Sequence, residues 1–107
     1  MTKNEMKSYL GNYKKLKTRA NRLLWEIERF PQDSAFLRPI LKNVTDTVED
    51  IAAKISCVEN ADQRELLVRK YIYGETFEEI GESMCYAGRH VQRLVNFAIA
   101  SIPEVEK

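Results

Sequence analysis

The sequence predicts an all-α protein in which a long antiparallel helical hairpin, the coiled-coil-like arm, precedes a three-helix helix-turn-helix head. Three observations predict this fold. Apolar residues recur at steps of three and four along two long segments, capping residues and glycines bound three shorter segments, and no segment alternates as a strand would. We expect the arm to cover residues 1–59 and the head residues 60–107.

The first long segment predicts one unbroken helix from Met6 to Phe30. Its apolar residues follow the heptad pattern of a helix that packs along a single seam. Pro31 is expected to end this helix, because proline disfavours helical backbone in the residue before it. The heptad positions are Met6, Tyr9, Tyr13, Leu16, Ala20, Leu23, Ile27 and Phe30.

A second heptad series runs from Leu37 to Val58 and predicts the other helix of the hairpin. Its start is open between two alternatives: Pro39 lies in the first turn, or Ser34 caps an earlier start. Trp25 widens the apolar stripe of the first helix. It would pack within the hairpin or against the head, whereas an exposed Trp25 would favour a dimer interface. The same stripes would pair two chains, so the oligomeric state stays open.

Capping residues and glycine bound the three helices of the head. The first is predicted over residues 60–74, with Asn60 as its cap and Gly74 in the left-handed position at its end. The next begins at Thr76, which forms a capping box with Glu79. The last runs from about residue 87 until Pro103 disfavours its continuation.

The last two helices have the spacing of a helix-turn-helix. Gly81 provides the small residue where the two helices cross, and Val91, ten residues later, anchors the second helix. This spacing predicts that the segment 87–101 is a DNA recognition helix. The apolar residues expected to lock the pair are Phe77, Ile80, Met84, Val91, Leu94, and either Phe97 or Ala98.

The outer side of this second helix has the chemistry of a DNA-reading surface. No acidic residue occurs from Met84 to Ser101, and the polar side chains face away from Val91 and Leu94. Arginine, glutamine and asparagine are the side chains that hydrogen-bond guanine, adenine and phosphate. A glycine in the first turn would let a phosphate approach backbone N–H groups. The candidate DNA-binding residues are Gly88, Arg89, His90, Gln92, Arg93 and Asn96.

The charge distribution adds a second basic element. The net charge is only +1, but residues 1–30 carry eight Lys or Arg against three Asp or Glu. The run KKLKTRANR, residues 14–22, is either the solvated face of a long helix or a surface for the DNA backbone or an acidic partner such as polymerase.

Several other classes of function are disfavoured. No apolar run reaches bilayer length, and no secretion-signal layout is present, so we expect a cytoplasmic protein without a membrane partner. Cys57 and Cys85 are read as free thiols, and with His90 as the single histidine a zinc site is poorly supported. No glycine-rich phosphate loop or nucleophile–base pair is recognisable. We therefore expect neither an enzyme nor a cofactor nor a small-molecule substrate.

The head resembles region 4 of bacterial sigma factors and, more closely, the phage-encoded RinA/ArpU-type regulators of late transcription. The matching residues are Arg64-Glu65, Arg69-x-Tyr71, Gly74, Phe77-Glu78-Glu79-Ile80-Gly81 and Tyr86-x-x-Arg89-His90-Val91-x-Arg93-Leu94. The resemblance implies a phage or prophage regulator in a bacterial host cytoplasm that contacts double-stranded DNA through Arg89, His90, Gln92 and Arg93. RNA polymerase and a second copy of the chain are further candidate partners.

The chain departs from this family's pattern in the turn. Ala87 stands where the family has a capping serine, Gly88 replaces a polar residue, and Cys85 replaces the turn glycine. We expect modest DNA binding that depends on the arm, a partner or a second subunit. Two other functions remain open: a DNA-packaging component such as a terminase small subunit, and a sigma-like module that binds polymerase or another protein without reading DNA.

Overall fold

A computed structural model describes residues 1–106 and confirms the all-α fold, with an antiparallel hairpin followed by three packed helices. Lys107, the last residue of the predicted head, lies outside the described residues. Two short segments lie between helices: a 3-10 turn, Pro31–Asp33, and a π-helical segment, Val68–Ile72. No helix in the described part of the chain is long and apolar enough to cross a bilayer. The helices are α1 (Lys3–Leu10), α2 (Tyr13–Arg29), α3 (Ser34–Ser56), α4 (Ala61–Leu67), α5 (Phe77–Met84) and α6 (Gly88–Ala100).

The prediction of one unbroken first helix is wrong, because the chain turns at Gly11 and Asn12 between α1 and α2. The Gly11 N–H still donates to the Lys7 carbonyl at 3.1 Å, but the Asn12 N–H donates to Tyr9, three residues back. Glycine has the lowest helix propensity after proline, so a break here costs little. The break lets α1 follow the head while α2 follows the arm.

The hairpin forms along the predicted seam. Its first long helix, α2, ends at Arg29, just before Pro31, as expected. Ala20, Leu23 and Ile27 of α2 pack against Leu37 and Val44 of α3. Of the two alternatives for α3, the earlier start is found, although Ser34 is its first helical residue and not its cap.

Pro39 therefore lies inside α3, where it has no N–H to donate to the Ala35 carbonyl. Both residues are exposed in the structure, so water can hydrogen-bond that carbonyl. Solvation of this kind offsets part of the cost of a proline within a helix.

The larger core lies where both ends of the chain meet the head. Its side chains come from α1, the last turns of α3, α4, α5, α6 and the segment that follows α6. This core joins residues from both sides of position 59, the predicted division between arm and head. Its fully buried large side chains are Met6, Leu10, Ile51, Ile55, Val58, Leu67, Ile80, Val91, Val95, Ile99 and Ile102.

A charged cluster that periodicity did not indicate joins the arm to the C-terminal segment. Lys54 is buried, and its Nζ lies 2.7 Å from both carboxylate oxygens of Glu104 and 3.4 Å from Asp50 Oδ2. The hydroxyl group of Tyr9, a residue of α1, donates a hydrogen bond to the Asp50 carboxylate in α3. The hydrogen bond to Glu104 raises the pKa of Lys54, and the hydrogen bond from Tyr9 lowers the pKa of Asp50.

The arm makes the molecule elongated. Its principal extents are 51 × 30 × 20 Å and its radius of gyration is 16.2 Å, whereas a compact domain of 100 residues has a radius of gyration of about 13 Å. The arm therefore projects from the head.

Candidate nucleic-acid interface

The helix-turn-helix depends on a close crossing of α5 and α6 at Gly81. A β-carbon on this buried glycine would collide with the Tyr86 carbonyl oxygen, and the Tyr86 N–H donates to the Gly81 carbonyl at 2.8 Å. Only glycine allows this approach of two backbones. The predicted position of Gly81 at the crossing is confirmed.

The turn itself holds Cys85 in a left-handed conformation, with φ 62° and ψ 38°. It is the one residue other than glycine with positive φ in the part of the chain that the structure describes. The left-handed conformation costs a residue with a β-carbon about 1–2 kcal/mol. Cys85 therefore performs the glycine's role in the turn at an energetic cost, and its thiol is exposed.

The start of α5 is fixed by the predicted capping box. Thr76 Oγ1 accepts from the Glu79 N–H at 3.1 Å, and Glu79 Oε1 accepts from the Thr76 N–H at 3.1 Å. Ile80 is fully buried one turn later. Cap and core together set the position from which α5 leads into the turn.

Arg69, one of the residues of the sigma-like pattern, holds the π-helical segment against α5. Its guanidinium lies 2.9 Å from Glu65 Oε1, 3.8 Å from Glu75 Oε1 and 2.9 Å from the Ser83 hydroxyl. These contacts assign Arg69 a role inside the head.

Arg64, from the same pattern, also binds within the protein. Its Nη1 donates to the Val58 carbonyl at 2.8 Å, just beyond the end of α3. It therefore connects the head to the arm.

Helix α6 rests on the core through a wider stripe than the sequence analysis identified. Val91 is buried as expected, and of the two alternatives for the next turn it is Ala98 that is buried, while Phe97 is 64% exposed. Val95 is also fully buried and was missed, although its spacing of four from Val91 is a readable helical signal. The base of α6 is thus rigidly held, and its outer face is left to solvent.

The first turn of α6 lacks a side-chain cap. Ala87 is the extended N-cap residue and has no hydroxyl to accept a hydrogen bond from the helix. The Glu78 carboxylate lies beside this turn, since a β-carbon on Gly88 would be 3.3 Å from Glu78 Oε1. A negative charge near a helix N-terminus is favourable. Because Glu78 is exposed and its side chain is flexible, a residue larger than glycine at position 88 would require only a small shift of this carboxylate.

The structure places the predicted site residues along the outer part of α6. Arg89, Gln92 and Arg93 are exposed, whereas Gly88 and Asn96 are half-buried. Within residues 1–106, neither Arg89 nor Arg93 forms an ion pair. Both guanidinium groups are thus available to a ligand.

His90 has a packing role as well as an exposed edge. Its ring lies edge-on to Tyr86, with 4.8 Å between the ring centroids and 74° between the planes. Both residues are exposed. The contact ties the first turn of α6 to the helix-turn-helix turn, so His90 supports the geometry whether or not it contacts DNA.

An apolar groove that the sequence analysis did not anticipate lies beside the recognition face. It has a volume of about 410 Å³. Its lining combines an acidic and an amide side chain of α4 with aromatic rings of the turn and of α6. Its lining consists of Asp62, Gln63, Leu66, Met84, Tyr86, Leu94 and Phe97.

The side chains of residues 1–106 do not gather into a metal site: no three His, Cys, Asp or Glu residues lie together in a suitable arrangement. Comparisons of the chain with protein-family models, with curated proteins and with solved structures gave no match. The likeness to sigma region 4 and to the RinA/ArpU-type regulators therefore stays a prediction that the residues of the head carry.

Proposed function

We propose that this chain is a sequence-specific DNA-binding transcriptional regulator, of the phage or prophage late-gene type that the resemblance implies, with α6 in the major groove. One observation carries the proposal: exposed Arg89, Gln92 and Arg93 project from a helix whose opposite face is locked in the core. Arginine pairs bidentately with guanine and glutamine with adenine. A rigid helix presents these groups at fixed spacing, as base reading requires.

The charges of the head favour entry of α6 into the major groove of DNA and oppose entry of α5. Helix α6 has no acidic residue, whereas α5 exposes Glu78, Glu79 and Glu82. Glu78 lies beside the first turn of α6, where it would repel a phosphate approaching the helix N-terminus. Binding by an isolated head should therefore be modest.

Selection of bound sequences from a random DNA pool, followed by mobility shift on the recovered site, tests the proposal. Arg89→Ala/Arg93→Ala should lower affinity and relax base preference, because each good bidentate base contact is worth about 1–3 kcal/mol of discrimination. Arg29→Ala/Arg38→Ala is the matched control, since both arginines are exposed beside the turn of the arm. Equal weak binding by parent and recognition-helix variant would reject base reading by α6.

A second candidate function, a protein-interaction module, is favoured by the apolar groove. Phe97 is 64% exposed and Tyr86 46% exposed at its edge, and exposed aromatic side chains are characteristic of interface anchors. An amphipathic helix of a partner protein is the kind of ligand that fits such a groove.

Salt dependence separates the two functions. DNA binding through several phosphates weakens steeply as salt rises, whereas a partner held in the groove should respond little. Phe97→Ala should abolish the protein interaction and leave DNA binding through Arg89 and Arg93 nearly unchanged.

A further inference from the structure

We infer that Lys14, at the root of the arm, and Lys70, in the π-helical segment, form a two-lysine phosphate contact beside α5, so that the arm is part of the DNA-binding surface. The inference rests on the proposed function and extends it to residues outside the helix-turn-helix. For Lys14, the first residue of the basic run 14–22, it favours contact with the DNA backbone over a role as part of a solvated helix face.

Lys14 lies across the loop that leads into α5. Gly74 has φ 71°, and a β-carbon there would lie 2.7 Å from Lys14 Nζ. Glycine suits this left-handed backbone, and the Lys14 side chain lies across the position that a β-carbon would take. The ammonium group of an arm residue thus lies against the head.

Lys70 lies beside the other end of this loop. Its Nζ lies 4.3 Å from the centroid of the Phe77 ring, a cation–π distance. Phe77 is the first residue of α5. The two ammonium groups therefore lie beside the two ends of the segment 74–77.

The charges of Lys14 and Lys70 are not neutralised within residues 1–106, where neither forms an ion pair. Of the nearby acids, Glu75 lies 3.8 Å from the Arg69 guanidinium and Glu79 accepts the capping hydrogen bond of Thr76. Two other lysines do form ion pairs: Lys42 with Asp46 at 3.0 Å and Lys54 with Glu104 at 2.7 Å. The loop before α5 thus presents two cations without partners.

Helix-turn-helix docking puts a DNA backbone at this place. When the second helix enters the major groove, the first helix crosses the sugar–phosphate backbone. In this protein the first helix is α5. Lys14 of α2 and Lys70 of the π-helical segment both lie beside the loop that leads into it. Lysine contacts to phosphate fix the position of the protein on the duplex and add affinity without reading bases.

The test compares salt dependence of binding to the site recovered from the random pool. Lys14→Gln/Lys70→Gln should reduce the slope of log K against log salt by about 1 for each lysine and should leave base preference unchanged. Lys14→Arg/Lys70→Arg keeps both charges and should keep the slope. Arg29→Gln/Arg38→Gln, with the same loss of charge at the far end of the arm, should also keep it.

The outcomes separate this inference from the proposed function. A parental slope in the glutamine variant, or an equal loss of slope in the Arg29/Arg38 control, overturns the lysine contact while the effect of Arg89→Ala/Arg93→Ala stands. If the parent protein binds no DNA, both proposals fail. Helical circular dichroism and thermal melting of each variant show that the fold is retained before affinities are compared.

Discussion

The arm and the head bury the same kinds of side chain to different degrees. The arm seam keeps Leu23 at 7% and Ile27 at 9% exposure. In the larger core, Ile51 of α3 and Leu67 and Ile80 of the head are at 0%. Two helices cover one stripe of each other and leave its margins to water, while head residues are enclosed from several sides. We therefore expect the head to dominate stability, although its core also needs α1 and the end of α3.

The largest expected effect comes from truncating one isoleucine in each region. Ile51→Ala, on the part of α3 that enters the head, should lower the free energy of unfolding by about 4 kcal/mol, towards the upper end of the range for buried isoleucine. Ile27→Ala in the arm seam should cost about 2 kcal/mol, because neighbouring side chains and water can fill the space. Urea denaturation measures the free energy of unfolding of both variants. Equal losses would contradict the proposed difference in burial between the larger core and the arm seam.

A pair of glycines sharpens the same contrast. Gly81→Ala should destabilise the protein by about 1–3 kcal/mol, since the new methyl group meets backbone that cannot move aside. Gly11→Ala should stabilise it by about 0.4–1 kcal/mol, because alanine can adopt the right-handed conformation of Gly11 and lowers the conformational entropy of the unfolded chain. Gly11 has φ −63°, and the nearest atoms to a β-carbon there are 3.4 Å away. Thermal melting should move in opposite directions for the two variants.

Capping α6 gives a smaller effect within the head. Ala87→Ser supplies the missing acceptor at the N-cap and should raise stability by about 0.5–2 kcal/mol. DNA binding should tighten as well. The matched control is Ala61→Ser at the start of α4, where Asn60 already caps the helix through Gln63 N–H at 3.0 Å. Unchanged binding in Ala87→Ser would mean that the cap does not limit DNA recognition.

The smallest effect concerns the junction of the two regions and appears in alkali. Burial, followed by the hydrogen bond to Asp50, raises the pKa of Tyr9 to about 12. A raised pKa means that the folded protein holds this proton more tightly. The resulting stability is complete below the unfolded pKa near 10 and is lost as the pH rises towards the folded pKa.

Tyr9→Phe tests this linkage. The variant should be less stable at neutral pH by up to about 1 kcal/mol, the worth of one hydrogen bond. Its stability should then fall less than the parent's between about pH 9 and pH 11. Urea midpoints at the two pH values give the comparison, and parallel losses in parent and variant would exclude Tyr9 as the group responsible. Tyr73→Phe, at an exposed tyrosine, is the control.

Most helix ends were predictable from the sequence because their signals act within one turn. Asn60 and Thr76 cap their helices, and Gly74 takes the left-handed conformation, each as expected. Helix α2 of the arm ends just before Pro31, also as expected. The helix break at Gly11 was not predicted, because the heptad pattern continues on both sides of this residue.

Part of the candidate site was also readable from local spacing. The exposure of Arg89, Gln92 and Arg93 follows from the helical period. The position of Gly81 at the crossing of α5 and α6 follows from the helix-turn-helix spacing. The edge contact of His90, the groove below Phe97 and the carboxylate of Glu78 beside Gly88 depend on how neighbouring elements cross. No periodic pattern encodes such a crossing in detail.

The sequence by itself determined the all-α class, the hairpin and most of the helix boundaries, since period and capping are interactions between residues a few positions apart. Only the tertiary structure decided that Met6 joins the head core, that Lys54 is buried against Glu104, fifty residues away, and that Lys14 lies over Gly74. These contacts depend on where distant segments meet. Their energies come from burial and charge pairing that exist only after the chain has folded.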